Sequence, residues 1–291
     1  MTVFARELRT MAETGTALAH GSGGARSNEG RLSFRRVGAR TVVESALAAS
    51  PLRILTPRNH GCAAWAYTST LGGGLVDGDR IRLRVSLGCG ASALIASQGH
   101  NRVYRSVSGS GSELRGDVEQ GALLVVLPDP TVCFARARYQ QNTTIRLAPG
   151  GAAVIVDVLT AGRGACGERW AFERYAAELA VSIADRVLVH ERTLLDSRHG
   201  PLAERLGRFD VLGTIVIAGE TLRVARETLA RELAERPLRP RADIVEQAND
   251  LGEALHVRFA AVSVEDAIRT VRSHLAFLPE LLGDDPWARR P

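Results

Sequence analysis

The chain contains several residue groups that could in principle do chemistry. Gly72-Gly73-Gly74 is the kind of run that cradles a phosphate. A P-loop also needs a Lys to reach the β- and γ-phosphates and a helix behind the glycines. All 37 basic residues of this chain are Arg, and an alternating strand, not a helix, follows the triplet. A Walker-type NTPase is excluded. Gly88-Cys89-Gly90 fails as a dinucleotide fingerprint because no helix opens after it. Both glycine groups read as turns that need positive φ. His60 lies two residues from Cys62, with His100 and His199 elsewhere, which is the raw material of a Cys–His nucleophile. Nothing in the sequence marks one thiol as activated. Asp77 and Asp79 flank Gly78, and Asp129 sits between two prolines; paired carboxylates can do acid–base work, but turns hold the same residues. The run Ser106 to Ser112 lacks the strand–turn–helix setting of a nucleophile elbow. The residues by themselves point to a β-rich protein that is not an enzyme. The alternative is a hydrolase using a Cys/His pair or paired carboxylates, and a third class is a binding module for an unrelated partner.

Metal and nucleic-acid chemistry are equally unmarked. Cys62, Cys89, Cys133 and Cys166 are widely spread with no Cys-x-x-Cys pair, which argues against a zinc ribbon and a dense disulfide framework. Free thiols in a reducing cytosol are expected. The formal charge is +5, but the arginines are scattered among Asp and Glu, without an Arg-rich run or interleaved aromatics. No nucleic-acid partner is expected; an acidic protein partner fits the charge. The N-terminus lacks a basic region followed by an apolar run, and no stretch of about 18 apolar residues occurs, so a cytoplasmic protein without a membrane span is expected.

The elements that must position any site are mostly strands. Residues 1–29, with Gly21 to Gly24, are expected to be a flexible tail, and 30–291 one β-rich domain. Ile81 to Leu87 alternates apolar and polar residues, so one face is buried and one wet. Ala91 to Ser97 is expected as its return strand. Further short strands are expected at 41–43, 52–55, 113–118, 122–127, 143–147, 154–159, 171–181, 187–190, 211–218 and about 254–262. Short strands with Gly, Pro and Asp turns imply an all-β sandwich, barrel or solenoid. Two α-helices are expected. One spans 221–235, with Leu222, Leu229 and Leu233 on a stripe and Glu227 four residues before Arg231. The other spans 263–283, opened by a Ser263-x-x-Asp266 cap, with Ile268, Val271, Leu275 and Leu278 at helical spacing and a break at Pro279.

An ordered series of motifs is more specific. Trp65 to Asp79 contains Gly72-Gly73-Gly74-Leu75-Val76-Asp77-Gly78-Asp79. It is followed by Gly88-x-Gly90-Ala91, Ser97-Gln98, Arg102-Val103-Tyr104-Arg105-Ser106 and Leu127-Pro128-Asp129-Pro130-x-x-x-Phe134. Leu147 to Gly150, Asp157-x-x-Thr160-Ala161-Gly162-Arg163 and Gly167-Glu168-Arg169-Trp170 complete it. The series, with the opening at 35–55, resembles the UreD (UreH) family of urease accessory proteins over about residues 30–285. It departs from the family at Arg102, where Lys is usual, at Gly99-His100-Asn101, and at Cys133, where Pro is common. The resemblance implies a large sandwich- or solenoid-like, two-layered β-helical scaffold. It implies a non-catalytic protein that binds apo-urease together with UreF- and UreG-type partners and assists nickel insertion as a conduit. It further implies that no cofactor is held tightly, that nickel passes in transit, and that GTP sits on a partner. Asp79, Asp157 and Glu168, in matched motifs and with oxygen ligands, are the candidate nickel contacts.

Overall fold

The computed structural model describes residues 29–58, 61–237 and 239–288. The expected tail, apart from Glu29, lies outside the described residues, as does His60. In chain order the strands are β1 (Gly30–Val37), β2 (Arg40–Leu47), β3 (Leu52–Leu55), β4 (Ala64–Thr70), β5 (Arg80–Leu87), β6 (Ser92–Ser97) and β7 (Asn101–Val103). Then come β8 (Ser110–Val118), β9 (Leu123–Leu127), β10 (Thr131–Cys133), β11 (Arg138–Leu147), β12 (Ala152–Thr160), β13 (Gly162–Arg163) and β14 (Glu168–Arg169). β15 (Arg174–Ile183) and β16 (Arg186–Asp196) precede helix α1 (Leu202–Leu206), β17 (Val211–Ala218) and α2 (Arg223–Glu235). β18 (Ile244–Asp250), β19 (Ala254–Ala261), α3 (Val264–His274) and α4 (Leu278–Leu282) close the order.

Two sheets face each other. Sheet A runs β16-β15-β11-β8-β5-β1-β2, and sheet B runs β18-β19-β17-β12-β9-β6-β4-β3. The middle of the chain alternates between them: β4, β6, β9 and β12 lie parallel in B, and β5, β8, β11 and β15 parallel in A. The result is the expected two-layered β-solenoid, of about three turns. This overturns one local expectation. Residues 92–97 are not the return strand of β5; they cross to the opposite sheet and pair parallel with β4 and β9. Leu147 to Gly150 likewise links sheet A to sheet B, between β11 and β12. Alternation in sequence reports which face is buried, not which sheet a strand joins.

Burial explains the patterns. In β5 Leu83, Val85 and Leu87 point between the sheets while Arg82 and Arg84 point outward. β9 is apolar throughout because both its faces are covered: Leu124 and Val126 pack between the sheets, and Leu123, Val125 and Leu127 pack under the helices. Helices α2, α3 and α4 lie on the outer face of sheet B through Leu229, Val271, Leu275, Leu278 and Leu282. The Ser263 cap is present, its hydroxyl accepting from Asp266 N at 3.1 Å. The last helical segment ends at His274 and resumes at Leu278, ahead of Pro279, and Ile268 is 44% exposed instead of buried. Glu227 pairs with Arg223 at 3.2 Å, one turn before it. Edge strand β18 was not expected. Its alternation is broken by Glu246, buried at an inward position against His274 at 2.5 Å and against Arg236. No helix among the described residues is long and apolar enough to cross a membrane.

Candidate functional site

A cavity of about 670 Å³ runs between the two sheets, across the strands. At one end lie Thr70, Gly73, His100 and Arg102; at the other, Glu191 and Arg258. Elsewhere the space between the sheets is filled by Leu, Ile, Val and Ala, with Phe34. Here the inward positions of β8, β11, β12 and β15 carry Ser112, Tyr139, Gln141, Asp157 and Tyr175 instead, so the layers are held apart by polar groups.

Asp157 is the carboxyl group in the middle of this space. It takes an inward position of β12, between Ile155 and Leu159. The Tyr175 hydroxyl donates to its Oδ2 at 3.2 Å, and the Gln141 side chain bonds it as well. Burial pushes the Asp157 carboxyl up, and the negative charge of Glu191 adds to this; the two hydrogen bonds work against it. The relay continues toward the His100 end. Ser112 Oγ lies 2.6 Å from the Tyr139 hydroxyl, and Asn101 Nδ2 donates to the same oxygen at 3.1 Å. Burial raises both tyrosines, so their hydroxyls stay protonated donors.

At the other end Glu191 of β16 ties sheet A to sheet B. His256 Nε2 stands 2.7 Å from its Oε2, Arg258 Nε donates to Oε1 at 2.9 Å, and Thr214 Oγ1 at 3.3 Å. Burial alone would raise this carboxyl, but His256 and Arg258 outweigh it and hold it below the usual range.

The three expected nickel contacts do not converge. Asp157 lines the cavity. Asp79 Oδ2 accepts from Val76 N at 2.9 Å and closes the turn before β5. Glu168 is gripped by Arg163, Nε to Oε2 at 2.9 Å and Nη2 to Oε1 at 2.5 Å, and also accepts from Ala135 N. Neither Asp79 nor Glu168 is among the cavity-lining residues. Glu191, Tyr139 and Tyr175 were missed by motif reading. The available signal was a polar residue at an inward position of an otherwise apolar alternation.

The groups considered for catalysis are also placed. Cys133 is fully buried; burial, helped by the nearby Asp157 charge, pushes its thiol up and keeps it protonated. Cys62 Sγ bonds the Leu281 carbonyl at 3.4 Å. Asp77 Oδ1 accepts from Ser108 N and Gly109 N, so both acids of the Asp77–Asp79 pair serve turns. Among the described residues, no three His, Cys, Asp or Glu side chains gather where they could hold a metal.

Comparison with known proteins gives the family context. A family model described as UreD urease accessory protein matches residues 26–291. A protein of Sorangium cellulosum named urease accessory protein UreD is 47% identical over 267 residues, covering 91% of this chain and 85% of its own length. One of the same name from Anaeromyxobacter is 37% identical, covering 92% and 91%. Urease accessory protein D of Arabidopsis thaliana is 30% identical, covering 89% and 99%.

Proposed function

From the premise that this chain belongs to the UreD family of urease accessory proteins, which ties it to urease maturation, we propose that it is a non-catalytic scaffold and nickel conduit. It binds apo-urease on one side and a UreF/UreG-type complex on the other, in the cytoplasm, and nickel crosses it in the cavity between the sheets. The nucleotide that drives delivery belongs to the partner GTPase.

The observation that carries this reading is the cavity itself: about 670 Å³, with hydroxyl, amide and carboxylate oxygens where a sandwich of this kind packs methyl groups. Nickel binds N and S ligands tightly, so a relay built from them would retain its cargo. Oxygen ligands in a hydrated passage hold the ion weakly and let it go. Asp157 is the group that attracts a dication into the passage, with Tyr139, Gln141 and Ser112 as neutral oxygens beside it. Asp79 and Glu168 hold turns in this reading, and their effect on nickel is indirect.

The test is co-expression of this chain with its cognate urease subunits and the UreF- and UreG-type proteins, with a control lacking the chain. Nickel in purified urease and urea hydrolysis are measured. Loading that depends on the chain, and falls in Asp157→Ala more than in Asp79→Ala or Glu168→Ala at equal chain levels, supports the conduit. Equal loading without the chain sinks the reading. Full loading with Asp157→Ala removes Asp157 from it.

A further inference from the structure

The two sheets are covered differently. Sheet B carries α2, α3 and α4 on its outer face. The outer face of sheet A carries arginines. Arg31 of β1 is paired in register with Arg84 of β5, and Arg84 with Arg115 of β8, so three guanidinium groups stand in a row across neighbouring parallel strands. Arg82, beside this row, faces Glu113. Like charges placed side by side on a sheet are destabilising.

The acids that pair with these arginines are fewer than the arginines. Glu29 is shared by Arg31 at 3.6 Å and Arg84 at 4.0 Å, and Glu113 by Arg115 at 2.5 Å and Arg82 at 3.7 Å. Four arginines thus share two carboxylates. The four arginine side chains are 45–56% exposed, so their heads remain reachable. Next to them Leu47, paired with Arg31, is 55% exposed, and Val42, paired with Arg35, is 39% exposed. Leu194 stands 49% exposed at the opposite edge, on the same face.

The face is broad enough to matter. Seven strands at about 4.8 Å spacing span about 29 Å, and eight residues of strand about 26 Å. That is about 750 Å², close to the roughly 800 Å² per partner of a standard interface. Arginine with apolar neighbours is the composition of a protein interface. Nucleic acid fits less well. Gln140, Asn142 and Thr144 occupy the middle of the face, with no aromatic to stack a base, and the glutamates would repel phosphate.

We propose that the outer face of sheet A, centred on the Arg31–Arg84–Arg115 row, is the docking surface for an acidic face of a protein partner in the maturation complex. Carboxylates of that partner complete the guanidinium groups that Glu29 and Glu113 leave under-paired. The proposal rests on the accessory reading above and adds the surface and its charge logic.

The test uses the full chain, with cognate apo-urease and the UreF-type protein titrated separately at low and at physiological ionic strength. The variants are Arg84→Glu/Arg115→Glu and the milder Arg84→Gln/Arg115→Gln. Arg231→Glu, on α2 over sheet B, is the control. Thermal melts of each variant confirm folding, and the Gln pair carries the test if the Glu pair does not fold. The expected result is at least tenfold weaker binding of one of the two partners by the Glu pair, a smaller loss with the Gln pair, and no loss with Arg231→Glu. The salt dependence of the wild type should shrink in the variants. Unchanged binding of both partners by folded variants overturns the proposal. A DNA duplex bound by the wild type and lost in the same variants reassigns the face and also overturns it. A wild-type chain that binds neither protein refutes the accessory reading, and the docking surface falls with it.

Discussion

Removing the Glu191 carboxylate tests the view that one residue clasps the two sheets at the cavity's end. In Glu191→Ala four donors, His256, Arg258, Thr214 and the more distant Thr193, lose their acceptor. His256 matters most: its side chain is 11% exposed, and an orphaned buried donor costs about 1–3 kcal/mol. Arg258 is half exposed and re-solvates at little cost, and the Thr214 bond at 3.3 Å is weak. The truncation opens into existing space, so no cavity penalty is added. The expected loss is about 2–3 kcal/mol. For a protein of this size about 2–4 °C is lost per kcal/mol, so the midpoint should fall by about 4–12 °C. Glu191→Gln, whose amide oxygen still faces His256, should lose less. The pH dependence follows from the depressed carboxyl. Its stabilisation is present above the unfolded glutamate value of about 4.3 and is lost as pH falls through the lower folded value. The gap between wild type and Glu191→Ala should therefore persist at neutral pH and close in strong acid. Calorimetric melts over a pH series measure it. A midpoint within a degree of wild type at neutral pH would show that the clasp seen in the structure contributes nothing.

Three further perturbations probe the cavity and its rim. Gly74 has no room for a side chain: a Cβ would sit 2.7 Å from the Arg102 carbonyl oxygen and 2.5 Å from the Tyr104 ring. Gly74→Ala should cost about 1–3 kcal/mol by denaturant titration, and a neutral result would mean that the Gly74–Arg102 approach is not tight. Gly73 meets nothing but holds φ +73°, so Gly73→Val is a test of backbone conformation alone and should destabilise through strain. Asp157 has the opposite pH signature to Glu191. Its folded carboxyl is raised by burial, so its penalty is absent below the unfolded value of about 3.9, grows with pH, and is complete above the folded value. Asp157→Asn should gain on wild type as pH rises through that window, followed by urea unfolding; a gap that does not change with pH would contradict a buried, titrating carboxyl.

How much was legible beforehand can be judged residue by residue. Alternation in Ile81 to Leu87, the continuous apolar run of β9, and the Ser263 cap are local consequences of side-chain type, and they appear as expected. The ordered motifs from Gly72 to Trp170 carried the family, and with it the two-layered architecture. Strand β18 escaped notice because Glu246 occupies an inward position, stabilised there by His274 and Arg236, partners 28 residues later and ten residues earlier.

The chain's own order thus determined which residues are buried, where turns fall, that no Lys-dependent phosphate loop exists, and to which family the protein belongs. Tertiary structure decided the rest. Whether a strand returns beside its predecessor or crosses to the facing sheet depends on pairing over tens of residues, so β6 could not be assigned from its sequence. Of Asp79, Asp157 and Glu168, three acids in comparable motifs, only Asp157 reaches the cavity. Asp79 meets a backbone amide three residues before it, and Glu168 an arginine five residues before it. A carboxylate satisfied by its own turn is locked in place, while one whose partners come from other strands lines the space those strands enclose. The Arg31–Arg84–Arg115 row is likewise invisible in a sequence where its members are separated by dozens of residues. It exists because parallel strands in register stack equivalent positions side by side.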